Sequence, residues 1–275
     1  MMYHRIAIYP SVLYGEDFIA ESIESILPIV ERVFVIFMRR PWGNTEGVRY
    51  KDEWISWPEV FDRARERVAT MRNEQIEVVE AQKDSPWDRW GFAVNNIVRD
   101  KLQIETKEVL LLDPDCVFSK KNVLSFVTEW IEHPEYTWAQ PKQVELWRTP
   151  AWQITRPRSM VSIHRGDLSL LSSDRRGTRQ PPLSYQLSAM VHNLGFCVSP
   201  EAMRWKHLTA MAFSPVIGES LPNESWYEEK WLNWKPGMGD LEVSQGCENM
   251  IQSATPYDVR DLPESIQKLY TEGRW

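Results

Sequence analysis

Between residues 4 and 119 the chain alternates short apolar runs with amphipathic stretches. The run "HRIAIYP", 4 to 10, is the length of one buried strand and is closed by Pro10. Phe18, Ile19, Ile23, Ile26 and Leu27 then recur at helical spacing. "RVFVIFM", 32 to 38, is apolar almost throughout, as expected of a parallel strand covered on both faces. A loop by composition, "RRPWGNTEG", comes next. The charged segment "EVFDRARERVATMRN" predicts a helix, "IEVVEA" a third strand, "WGFAVNNIVRDKL" an amphipathic helix and "EVLLLDPDCVF" a fourth strand.

Strands alternating with helices predict an open, right-handed α/β sheet, whose ligands bind beyond the carboxyl ends of the strands. Asp113 and Asp115 fall at such an end. One more helix is expected within "SKKNVLSFVTEWIEHPEY". From 138 to 182 no clean period survives. A strand and a helix are again readable from "LSAMVHNLGFCVSPEAMRWKHL", followed by the aromatic stretch "SWYEEKWLNWKPGMGDLEV" and a final helix near "PESIQKLY". The expected organisation is one domain in two halves, 1–137 and 138–275, the second carrying a C-terminal aromatic extension.

Composition narrows the classes. A chain of 275 residues with 43% hydrophobic content can bury a sizeable core. A net charge of −7 argues against a surface that is basic throughout. Between 142 and 180, however, eight basic residues face three acidic ones, and Arg156, Arg158, Arg175 and Arg176 lie in that block. Arginine forks recognise phosphates in pairs of hydrogen bonds, so the block is a candidate lid over a diphosphate or a contact for a phosphorylated acceptor. The cysteines Cys116, Cys197 and Cys247 have neither disulfide nor zinc spacing, which suits a reducing, cytoplasmic setting. No apolar run approaches the roughly 20 residues of a spanning helix, so no transmembrane segment is expected. The 14 tryptophans include Trp226 and Trp231, which are candidates for stacking on an acceptor ring as well as for core packing.

The chemistry centres on "VLLLDPDCVFS", 109 to 119. Two carboxylates one residue apart, in a turn after a strand, can converge on one hard divalent cation, and oxygen ligands suit Mg²⁺ or Mn²⁺. A DxD string alone is common; its place at the end of a fourth strand is what gives it weight.

In the order "IAIYPSVLYGEDFIAESIESILPIVERVFVIF", "NNIVRDKL", "VLLLDPDCVFS", the chain resembles the GT-A fold glycosyltransferases, family 2 in particular. The likeness covers about residues 4 to 125 and extends more loosely through "QVELW", "HNLGF" and "SWYEEKWLNW". It implies a GT-A, Rossmann-like open and mostly parallel sheet flanked by helices, with an acceptor-side elaboration at the C-terminal end. It further implies a nucleotide-sugar donor, with UDP-sugars favoured, and Mn²⁺ or Mg²⁺ held by Asp113 and Asp115. Tyr9, Pro10 and Ser11 would line the donor pocket, with Asn95 and Asp113 beside it. Arg39 and Arg40 stand where family 2 members carry an acidic residue, so Arg39 is a candidate donor contact. A late histidine completes the metal shell in many GT-A enzymes, and His192 matches it in order. The base that deprotonates the acceptor hydroxyl has two candidates, Glu145 and Asp240.

The acceptor is expected to be a saccharide, a lipid-linked carrier or a nucleic acid, including modified bases of phage-type DNA. A nucleotidyltransferase-like Mg²⁺ enzyme would also pair aspartates at a strand end, although "YPSVLYGED" is a poor phosphate loop. A non-catalytic nucleotide-binding module is the third reading.

Overall fold

The computed structural model describes residues 5–12, 17–37, 46–57, 62–80, 108–155, 159, 161–165, 184–213, 223–241 and 253–275. The first half holds β1 (Arg5–Val12), α1 (Ile19–Ile26), β2 (Arg32–Phe37), β3 (Gly47–Tyr50), β4 (Glu53–Ser56), α2 (Asp62–Thr70), β5 (Ile76–Glu80) and β6 (Glu108–Leu111). Then come β7 (Cys116–Val117), α3 (Lys120–Glu132), β8 (Trp138–Trp147), β9 (Thr149–Ile154), β10 (Ser162–Arg165), β11 (Ser184–Phe196) and α4 (Pro200–Phe213). A π-helical turn (Tyr227–Leu232), β12 (Thr255–Pro256) and α5 (Glu264–Thr271) follow. The expected helix at 90–102 lies outside the described residues.

β5, β2, β1 and β6 are parallel neighbours in that order, and the sheet continues through β10, β8, β9 and β12. β10 runs antiparallel to both β6 and β8, so the direction changes where the second half of the chain joins. The result is an open α/β sheet of the predicted kind. From β1 the chain builds outward through β2 to β5, then reverses to place β6 on the other side of β1. Such a reversal leaves a crevice at the carboxyl ends of the two central strands, here β1 and β6.

The near-continuous apolar runs are strands because both of their faces are covered. Ala7, Tyr9, Val33, Val35 and Leu110 pack with Ile19, Ile23 and Ile26 of α1 and with Val123, Phe126 and Trp130 of α3. The intervening Ile6, Ile8, Phe34, Ile36, Val109 and Leu111 are buried too. Each such side chain contributes about 1.5–3 kcal/mol on burial. A second apolar cluster joins Leu146, Trp147, Ile154 and Leu194 to Trp226, Tyr227, Trp231 and the C-terminal Leu262 and Ile266.

Three local outcomes differ from the sequence reading. β1 runs through Pro10 to Val12, because its register with β2 breaks between Tyr9 and Val12 and the missing proline N–H falls at that irregularity. The stretch after the predicted loop folds into the hairpin β3–β4, turned by Lys51 (φ 47°) and Asp52 (φ 65°). Two consecutive left-handed residues are the signature of a type I′ turn, which asparagine or glycine usually announces. The region without a clean period yields β8, β9 and β10. Its strands mix buried, half-buried and exposed positions without alternation, and Pro141 and Pro150 lie inside them.

At the amino ends of β1 and β6 and the carboxyl end of antiparallel β10, Arg5, Glu108 and Arg165 stand side by side. Glu108 is fully buried. One of its carboxylate oxygens accepts from Arg5 Nε at 2.9 Å; the other accepts from Trp130 Nε1 at 2.7 Å and Arg165 Nη2 at 2.9 Å. The Arg165 guanidinium also lies over the Trp130 ring, 4.1 Å from its centroid. Removing one partner from a buried ionic cluster leaves uncompensated charge, so Glu108→Gln is expected to destabilise the protein by about 3 kcal/mol. Urea unfolding is the measurement, and a loss below about 1 kcal/mol would show that the row is not a structural clamp.

Candidate functional site

The segment Asp113-Pro114-Asp115-Cys116 is a β-turn closed by the Cys116 N–H donating to the Asp113 carbonyl at 3.1 Å. Asp at the first position and Pro at the second favour such a turn, so the turn explains the motif's spelling. It follows β6 directly, at the rim of the crevice, and Leu112 N–H donates to Ile8 O of β1 at 3.1 Å. Asp113 and Asp115 are both nearly buried, at 8% and 9% exposure.

Two serines of α1 hold the turn from below. Ser22 Oγ donates to Cys116 O at 2.5 Å and lies 2.9 Å from the Tyr9 hydroxyl, while Phe118 N–H donates to Ser25 Oγ at 3.2 Å. Tyr9 is consequently a core side chain, and burial pushes its phenol well above the ordinary range. Pro10 is buried as well; the side chain of Ser11 lies outside the described residues.

From the other side the turn is met by β11. Its His192 and Asn193 pair with Val117 and Cys116, and Leu194 N–H donates to Asp115 O at 2.8 Å. On its second edge β11 pairs with β8, Asn193 opposite Glu145, and the register breaks between Asn193 and Phe196. Gly195 sits in that break. A Cβ there would stand 2.8 Å from Asn193 Oδ1, 2.9 Å from Asp115 Oδ2 and 3.2 Å from Lys206 Nζ. The lack of a side chain is what lets Asp115 lie against the strand, the close-approach role of glycine.

Lys206 of α4 reaches the same point, donating to Asp115 Oδ2 at 2.7 Å and to Gly195 O at 2.9 Å. Its helix is seated by Trp205 against Trp57 (ring centroids 5.5 Å apart) and by His207 stacked on Trp226 (5.6 Å). Tyr50 extends that seat by donating to the Glu228 carboxylate at 2.9 Å. Glu145 is buried on β8, and its Oε2 accepts from Gln143 Nε2 at 2.6 Å. The Cys197 thiol is raised chiefly by burial, with Glu145 and Asp115 adding to the rise and Arg148 and Lys206 opposing it.

Two carboxylates with oxygen donors suit Mg²⁺ or Mn²⁺, which take one or two protein carboxylates and leave the remaining positions to substrate phosphates and water. Asp113 and Asp115 fit that description. Among the described residues no group of three or more His, Cys, Asp or Glu converges as a ready cage.

His192 lies on β11, fully buried, with Nε2 2.7 Å from the Tyr257 hydroxyl and no hydrogen-bond partner on Nδ1 among the described residues. His164 is buried on β10, its Nε2 2.9 Å from Ser162 Oγ. Asp240 is exposed in a turn at φ 49°, and Lys230 Nζ donates to its carbonyl at 2.9 Å. Trp226 and Trp231 are core residues whose indole N–H groups donate to Leu241 O and Phe196 O at 2.8 and 2.9 Å. Arg39, Asn95, Arg156, Arg158, Arg175 and Arg176 lie outside the described residues. Lys206 and the two serines of α1 were not singled out from sequence. A lysine on an amphipathic helix and serines between isoleucines carry no signal of their own. Gly195 inside an apolar run was a readable hint of a bulge or close approach.

No family model matches the sequence, and no curated protein matches it. Solved structures with a similar backbone include S. aureus TarS, residues 1–349, at 14% identity and a TM-score of 0.47, covering 90% of this chain and 74% of that one. HddC from Yersinia pseudotuberculosis, complexed with GMP-PN, is 9% identical with a TM-score of 0.42, over 73% of this chain and 97% of that one. The inositol-1-phosphate CTP transferase from T. maritima is 10% identical with a TM-score of 0.39, over 81% and 99% respectively. Among the described residues no helix is long and apolar enough to cross a membrane.

Gly195→Ala is expected to force the Asp115 carboxylate or Asn193 aside and to cost about 1–3 kcal/mol, as overpacking does. Thermal unfolding measures the loss. Burial also holds His164 and His192 neutral, with pKa values lowered from 6.5 to about 3 and about 4. The unfolded chain protonates these rings near the ordinary value, so their stability contribution is full above about pH 6.5 and is lost as the pH falls towards 4. Urea midpoints between pH 7 and 4.5 should therefore drop, and less steeply in His192→Gln. An unchanged slope in that variant would mean that the folded protein accepts the proton on His192.

Proposed function

We propose that the chain is a glycosyltransferase acting from a nucleoside-diphosphate sugar, UDP-sugars favoured, onto a saccharide, lipid-linked or nucleic-acid acceptor. The observation that carries this reading is the pair of buried carboxylates in the Asp113–Cys116 turn, at the carboxyl ends of β1 and β6 where the strand order reverses. Ligands of open α/β sheets bind at that place.

Asp113 and Asp115 would hold Mn²⁺ or Mg²⁺ together with the donor phosphates. When bound, such a cation offsets the negative charge that grows on a departing diphosphate. Glu145, one strand away and paired in register with Asn193, is the favoured base. It takes the proton of the acceptor hydroxyl as that oxygen bonds to the anomeric carbon and the bond from that carbon to the diphosphate oxygen breaks. Asp240, exposed beyond the π-helical turn, is the weaker candidate for this role. Arg39 and Asn95 for the donor, and Arg156, Arg158, Arg175 and Arg176 for phosphate, complete the proposal.

Incubation with UDP-, GDP- and TDP-sugars and Mn²⁺ tests it. The expected product is a nucleoside diphosphate; pyrophosphate release would identify a nucleotidyltransferase instead. Asp115→Ala should lower turnover by about 10²–10³-fold. Glu145→Gln should lower turnover by about 10²–10⁴-fold while leaving donor affinity unchanged. Full activity in Asp115→Ala would sink the assignment.

A further inference from the structure

The contact between Lys206 and Asp115 places a positive charge on one carboxylate oxygen of a residue that would hold a divalent cation. It is well covered: the Asp115 and Lys206 side chains keep 13% and 23% of their exposure. It is also specifically housed. The ammonium donates to both Asp115 Oδ2 and the Gly195 carbonyl, and the bare Cα of Gly195 is what leaves room for this pairing. The helix that carries it is wedged through the residues on either side of Lys206, Trp205 packing against Trp57 and His207 against Trp226. Fixing a long lysine side chain costs rotamer entropy, so a held ammonium implies an attraction that exceeds it.

An ion pair that still keeps some exposure is no inert strut. Lysine is a compact point charge on a flexible four-carbon stem, able to exchange one anion for another within its reach. A diphosphate entering the crevice at the carboxyl ends of β1 and β6 would bring anionic oxygens of higher charge than a single carboxylate. With its ammonium on Oδ2, Asp115 is a poor ligand for a second cation; with the ammonium drawn off, it is a good one.

We infer that Lys206 guards Asp115: in the free protein its ammonium occupies Oδ2 and weakens divalent-cation binding, and a nucleoside diphosphate draws it onto phosphate oxygens, opening the carboxylate to the cation. The inference rests on reading this crevice as a nucleoside-diphosphate site. Cation and nucleotide then bind as a coupled pair, each raising the affinity of the other by the same factor. Lys206 is in this sense a positioning residue acting through Asp115.

The test is a titration of Mn²⁺, followed by the electron paramagnetic resonance of the free ion, on the whole chain with and without UDP. Wild type, Lys206→Met and Lys206→Arg are compared, with Lys206→Gln replacing the Met variant if circular dichroism shows that the latter does not fold. Without UDP, Lys206→Met should bind Mn²⁺ about tenfold or more tightly than wild type, while Lys206→Arg, which keeps the positive charge, stays near wild type. Addition of UDP should tighten Mn²⁺ binding by wild type about tenfold and by Lys206→Met distinctly less. Equal Mn²⁺ affinity of wild type and Lys206→Met in the absence of UDP, or weaker binding by the variant, overturns the inference. Tighter Mn²⁺ binding in Lys206→Met with no UDP binding to any form upholds the guarding of Asp115 and rejects the nucleotide site, so the two failures are told apart.

Discussion

The row Arg5, Glu108 and Arg165 joins β1, β6 and β10 at their shared end, and the rest of the architecture depends on the register it specifies. These strands are short and buried on both faces, so apolar packing discriminates weakly between one alignment and the next. A fully buried carboxylate between two guanidiniums discriminates strongly, because any slip leaves charge without a partner in a low-dielectric interior. With β1 and β6 locked at their amino ends, their carboxyl ends finish together. Leu112 N–H still reaches Ile8 O of β1, and the Asp113 turn opens from there.

At the opposite rim the chain meets a different demand, which is to bring several charges to one point without collapsing it. The irregular register of β11 answers it. A regular strand would carry alternating side chains past the turn, whereas the break at Gly195 presents bare backbone to Asp115 and a carbonyl to Lys206. Bulges next to sites serve to re-aim groups in this way. Asp115 is thus held by a backbone bond from Leu194 and a charge-assisted bond from Lys206, two restraints from consecutive elements that lie far along the chain from the turn.

The tryptophans divide in a manner composition does not reveal. Trp130 serves the Glu108 cluster, Trp147, Trp226 and Trp231 build the second core, and Trp205 and Trp57 seat α4. The C-terminal residues add a clasp: Trp275 Nε1 donates to Cys197 O at 2.7 Å, and Arg274 pairs with Asp17, which in turn accepts from the backbone of Ser199 at the start of α4. Each indole supplies a large apolar face with one polar N–H, and Trp226, Trp231 and Trp275 use that N–H to tie a backbone carbonyl to the second core.

Much of the first half was legible in the order of residues. The apolar runs at 5–12, 32–37 and 108–111 fix strands because continuous hydrophobicity has no stable place except under two covered faces, 76–80 adds a half-exposed edge strand, and Asp-Pro-Asp after the run at 108–111 fixes a turn. By itself the sequence therefore determined the order of the parallel strands and of the helices in the described first half, and the position of the two carboxylates at a strand end. It did not determine β8, β9 and β10, whose mixed burial and internal prolines erase the period of two, nor the hairpin turned by Lys51 and Asp52. Only tertiary structure decided that Lys206 meets Asp115 over Gly195, and that Tyr9, Trp226 and Trp231 spend their side chains on cores. Local pattern is set by neighbours a few residues apart. A site assembled from β6, β11 and α4 is set by strand pairing and helix seating, and these have no signature within any single segment.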